Sequence, residues 1–186
     1  MKGLSKGLAA GILIAIVFGG LLGFGLTYFF LMNNSGKILQ TEQLEVRTQA
    51  ILVDSDTTPQ MIPDMTISIN TSGSSYLILR FTTMYIHTIY SGHDGASIYN
   101  INLTLNGETI IKGYIGYNTS SILSNTIEFF SSFTLEYTTD VLPAGTYTIT
   151  VTWESLISGK YTDSQLIFCS SFFNYSRYLI VQEIHI

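Results

Sequence analysis

The chain has 186 residues and a formal net charge of −5, with 11% charged and 46% hydrophobic residues. A typical globular domain carries about 25% charged residues, and here Lys and Arg are scattered singly, so the basic patch of a nucleic-acid binder is absent and no nucleic-acid partner is expected. The single cysteine, Cys169, excludes an internal disulfide; in Leu166-Ile167-Phe168-Cys169 it reads as a buried thiol, with an intermolecular bridge as the alternative.

The N-terminus is basic over residues 1–6, through Lys2 and Lys6, and is followed by an uncharged run from Gly7 to Met32. As a helix this run would extend about 39 Å, more than the ~30 Å hydrocarbon core of a bilayer. It therefore reads as a transmembrane helix over 7–32. It is longer than the roughly 7–15 apolar residues of a cleaved signal, so an uncleaved signal anchor is expected. The flanking lysines place the N-terminus in the cytoplasm and the rest outside the cell or on a virion surface. Small residues recur at every fourth position, and Gly7, Gly11, Ala15, Gly19 and Gly23 are the expected helix-packing surface for self-association. Expected partners are thus the lipid bilayer, further copies of the chain, and surface or virion proteins.

Residues 33–43 read as a linker and 44–186 as an exterior domain. Period-two alternation dominates this region. Its clearest instance is Thr146 to Trp153, where Tyr147, Ile149, Val151 and Trp153 alternate with threonines, as in a strand with one buried face. Tyr99, Ile101, Leu103 and Leu105 repeat the pattern, and Asn106-Gly107 then signals a tight hairpin into Glu108–Ile111. Further candidates are Leu44–Val53, Met65–Asn70, Ser75–His87, Thr126–Tyr137, Gln165–Ser171 and Arg177–His185. About nine strands separated by polar turns predict an antiparallel β-sandwich, jelly-roll-like or immunoglobulin-like, on a single N-terminal helix.

Two stretches carry resemblances. Leu142-Pro143-Ala144-Gly145-Thr146-Tyr147 and the closing Arg177-Tyr178-Leu179-Ile180-Val181-Gln182-Glu183 resemble strands of jelly-roll head domains of the tumour-necrosis-factor-like kind, found in surface and fibre proteins. Lys2-Gly3-Leu4-Ser5 and Lys6-Gly7-Leu8-Ala9 resemble the cleavage site of archaeal type IV pilin precursors. That second resemblance implies a filament subunit whose helix forms the core after cleavage.

Five N-x-S/T sequons mark Asn33, Asn70, Asn102, Asn118 and Asn174 as candidate glycosylation sites. The catalytic inventory is thin. His87, His93 and His185 share no ligand spacing; Ser91-Gly92-His93-Asp94-Gly95 reads as a polar loop, and Asp54-Ser55-Asp56 as a solvated turn without a further carboxylate to complete a calcium site. No nucleophile turn or phosphate loop is present, and Arg80, inside an apolar strand, should reach a sheet edge or a carboxylate. No catalytic, metal or cofactor-binding residue is expected. The expected function is non-enzymatic: a membrane-anchored structural or adhesion protein of an archaeal surface or a virion, with a pilin-like subunit and a membrane-tethered ligand-binding domain as alternatives.

Overall fold

The structure, a computed structural model, describes residues 36–53, 58–92, 94–119, 121, 123–161, 164–168 and 175–186. Within them lie ten strands: β1 Lys37–Val46, β2 Ala50–Val53, β3 Gln60–Thr71, β4 Ser75–Ile89, β5 Asp94–Leu105, β6 Glu108–Thr119, β7 Ile127–Thr138, β8 Gly145–Tyr161, β9 Ser164–Phe168 and β10 Arg177–His185. The body considered below is the compact unit Ile38–Ile184.

The strands form two sheets. One has the order β3-β8-β5-β6. In the other, β4 pairs with β7 along Ile78–Ile89 on one side. Its opposite side is shared by β10 and β9, which in turn carry β1 and β2. If β1/β2 and β9/β10 are each taken as one interrupted strand, the pairs nest in chain order: first with last, β3 with β8, β4 with β7, and β5 with β6. This nesting is the jelly roll, two Greek keys folded into a double sheet. Of the two sandwiches expected from the alternation, the pairing selects this one.

The core follows from period two. Leu77, Leu79 and Phe81 of β4 and Leu179 and Val181 of β10 are buried, as are Tyr99, Ile101 and Leu103 of β5 and Ile149 and Val151 of β8. Phe81 meets Phe133 and Phe168 edge to face, with ring centroids 6.5 and 6.2 Å apart, the arrangement that aromatic quadrupoles favour. At the β5–β6 turn, Asn106 and Gly107 both have positive φ (51° and 85°), as a two-residue hairpin requires. The Asn106 side chain also accepts a 2.8 Å bond from the Thr148 N–H, which ties the turn to β8.

One part of the fold expectation is corrected. The described residues are all-β, and no helix among them is long and apolar enough to cross a membrane. The segment 7–32, with Gly7, Gly11, Ala15, Gly19 and Gly23, lies outside the described residues, as do the pilin-like tetrads. What stands is an antiparallel β-sandwich, with no transmembrane helix among the described residues. Among the described residues no element carries the single-pass topology with a cytoplasmic N-terminus, the bilayer as partner or self-association through a helix, and neither anchored function nor the pilin-like alternative is carried forward.

Strand limits differ where burial is one-sided or lacking. The stretch expected to be a link, 37–43, belongs to β1, whose residues are mostly exposed. An outer strand that buries so little need not show hydrophobic alternation. β3 starts at Gln60 and runs through Pro63, where its register with β8 shifts between Met61 and Thr66 and Asp64 takes φ 60°. Pro63 cannot donate to the ladder, so a bulge is accommodated there, on a strand that pairs on one side.

Candidate functional site

The outer face of the β3-β8-β5-β6 sheet is built from side chains at every second position. Three cross-strand rows, read from β8 through β5 to β6, are Thr152–Asn102–Lys112, Glu154–Asn100–Tyr114 and Leu156–Ile98–Gly116. On the β5–β6 side of the last two rows lies an open cleft of about 240 Å³ lined by Ile98, Tyr114, Gly116, Tyr117 and Asn118. Gly116 lies between Tyr114 and Asn118 on the same face of β6. A Cβ on it would sit 3.1 Å from Cγ1 of Ile98, so the glycine keeps the cleft floor open. Tyr114 is 64% exposed and Leu156 46%. Tyr117 stacks obliquely on Phe129 of β7, with centroids 5.3 Å apart, which fixes one wall.

A polar line borders this apolar floor. The Asn100 amide donates to Glu154 Oε1 at 3.0 Å, and Lys112 Nζ lies 3.6 Å from the same oxygen. The Glu154 side chain is largely buried and Lys112 half exposed, so a positive and a negative charge compensate beside the cleft. Toward β3 the described cross-strand pairs carry hydroxyls and amides. Thr66 bonds Thr150 and Ser68 bonds Thr148 through long hydroxyl contacts of 3.3 and 3.4 Å, and Thr146 donates to Asn70 at 2.6 Å.

The sequon asparagines separate by position. Asn70 and Asn118 are exposed. Asn102 is buried within its row, and its side-chain oxygen has no hydrogen-bond partner; a glycan there would have to lift the side chain out of the sheet surface. Asn33 and Asn174 lie outside the described residues, as do Cys169, His93 and the Asp54-Ser55-Asp56 turn.

Of the histidines, His87 is buried, and its Nε2 is 3.1 Å from Ser97 Oγ. Ser97 Oγ bonds Ser164 Oγ, and Tyr99 OH lies 3.0 Å from that same oxygen. This His–Ser arrangement has the composition of a nucleophile and base, but its members are between 0 and 2% exposed, so it serves as a polar knot in the core. Among the described residues, no three His, Cys, Asp or Glu groups gather as metal ligands. Arg80 meets Glu136 at 2.6 Å across β4 and β7, both half exposed, as its apolar strand predicted.

Two buried charges stand at either end of β10. Arg177 donates to the carbonyls of Thr48 and Pro63 at 2.7 and 2.9 Å, holding the β1–β2 turn and the β3 bulge. Glu183 accepts from Gln40 Nε2 at 2.7 Å, from the Ser72 N–H at 2.9 Å and from Ser75 Oγ at 2.6 Å. Burial pushes its pKa up, but the bonds from Ser75, Ser72 and Gln40 outweigh that, and the carboxyl is held below its usual value.

Of the cleft residues, the sequence singled out Asn118 alone, as a sequon. The available signal was the pair of glycines in Gly113-Tyr114-Ile115-Gly116-Tyr117, because glycine within a strand marks a bulge or a close approach. Gly113 faces the core and Gly116 the cleft.

No protein-family model matches the chain, and no curated protein matches it. Among solved structures, the chain is similar to dimeric latent PorU from Porphyromonas gingivalis, at 12% identity over 82% of this chain and 14% of that one, with a TM-score of 0.38. It is also similar to the structure of the Gx strain of infectious bursal disease virus, at 9% identity over 80% and 42% of the two chains, with a TM-score of 0.36. The VP2 subviral particle of the same virus gives 10% identity over 80% and 39%, with a TM-score of 0.33. The chain thus spans less than half the length of these proteins. The expected likeness to tumour-necrosis-factor-like heads is corrected to this weak, low-identity likeness to jelly-roll-like all-β folds, which carries no functional argument.

Proposed function

We propose that this domain is a non-enzymatic binding module that holds its ligand by surface contact in the cleft formed by β5 and β6. The observation that carries this reading is an open apolar depression with a largely exposed tyrosine on an otherwise polar sheet face. Binding sites are concave, mostly apolar and supplied with a few polar groups, and tyrosine combines a large contact area with little entropy to lose. The buried position of His87 and Ser97 favours a non-catalytic role, since neither side chain can meet a substrate without opening the core.

Ligand-observed saturation-transfer NMR with small neutral aromatic fragments tests this reading. Fragments should bind the full-length protein, and Tyr114→Ala should weaken them by about tenfold, the effect of losing a contact worth more than 1 kcal/mol. Equal binding to the Tyr114→Ala variant would contradict it.

A further inference from the structure

We propose that the ligand is a neutral oligosaccharide, with one sugar ring lying on Tyr114 over Gly116 and the next units running along the outer face of the β3-β8-β5-β6 sheet. This inference rests on the cleft being a binding site and goes on to specify what enters it.

Three features select this chemistry. The first is shape. Tyr114 is 64% exposed, and the glycine two positions on removes any side chain that would stand against its neighbour. An aromatic ring beside the apolar floor at Ile98 and Gly116 suits the C–H face of a pyranose, which is apolar although its rim is hydroxylated.

The second is charge. The only ionised groups in the three rows are Lys112 and Glu154, and they face each other at 3.6 Å. Their fields cancel at the cleft, so neither an anionic nor a cationic ligand gains from them. Each keeps a hydrogen-bonding capacity suited to a hydroxyl, which can both donate to Glu154 and accept from Lys112.

The third is continuity. Away from the cleft the face is a carpet of uncharged donors and acceptors: Thr66, Ser68, Thr146, Thr148 and Thr150. Two of their mutual bonds, at 3.3 and 3.4 Å, are long. Hydroxyls bonded that weakly can turn toward ligand hydroxyls at little cost. A polyhydroxyl chain can take up these donors and acceptors along its rim.

The test uses full-length protein made in a host that does not glycosylate, so that Asn118 at the cleft rim is unmodified. Amide NMR is recorded with cellohexaose, maltohexaose, chitohexaose and mannohexaose, and in parallel with indole as an apolar probe. At least one sugar should shift the amides of Ile98, Gly116 and Asn118. Tyr114→Ala should weaken that sugar about tenfold and Glu154→Gln by a smaller factor, while Thr41→Ala on β1 leaves it unchanged. If indole shifts these amides and no sugar does at millimolar concentration, the carbohydrate assignment is overturned and the binding cleft stands. If neither does, both fall.

Discussion

Glu183 and Arg177 give β10 a buried charge at each end, and each holds a neighbouring turn in place. The Glu183 carboxylate is satisfied by donors from β1 and from the β3–β4 turn, so its charged form belongs to the folded state. Its pKa is lower folded than unfolded. Its contribution to stability is therefore complete above the ordinary carboxylate value of about 4.3 and is lost as pH falls through the lower folded value. Glu183→Gln leaves donors facing an amide and should destabilise the protein by about 1–3 kcal/mol at neutral pH. Urea unfolding of both proteins between neutral pH and about pH 3 should show this gap narrowing on the acid side; a gap constant with pH would contradict the assignment. The sequence pattern around Arg177 and Glu183 drew attention as a strand resemblance, but their partners could not be read from it. Thr48, Pro63, Ser72 and Gln40 are more than a hundred residues away along the chain.

At the level of elements, most strands were legible because one face of each is buried. Thr146–Trp153 and Arg177–His185 alternate cleanly, and the Asn106-Gly107 hairpin is specified by two residues that tolerate positive φ. β1 carries no alternation to read, because a strand so exposed has no inner face to mark. The closure between β6 and β7 was also hidden, although a glycine records it. A Cβ at Gly113 would come within 2.6 Å of Leu135 Cδ2 and of Phe133 Cζ, so β6 lies close against side chains from the other sheet. Gly113→Ala should cost about 1–3 kcal/mol through overpacking, read as a lower urea midpoint with an unchanged slope. An unaltered midpoint would mean that Phe133 and Leu135 move aside freely and that the closure is loose.

For the whole molecule, the pairing of first strand with last, β3 with β8 and β4 with β7 was beyond the sequence; the β5–β6 hairpin alone was legible, from Asn106-Gly107. Alternation says which residues face inward and says nothing of which strand lies beside which. The cleft forms where Ile98 of β5 meets Tyr114, Gly116 and Asn118 of β6. Apart from the Asn118 sequon its residues carry no motif, and they have no catalytic or metal-binding spacing. The central claim, that this jelly roll works by contact at that cleft, is tested most directly by amide-resolved NMR of the isotope-labelled protein titrated with indole. The account predicts shifts that saturate and cluster on Ile98, Gly116, Tyr117 and Asn118, with no response at the opposite sheet. Shifts that are absent, or that gather elsewhere on the sandwich, would contradict it.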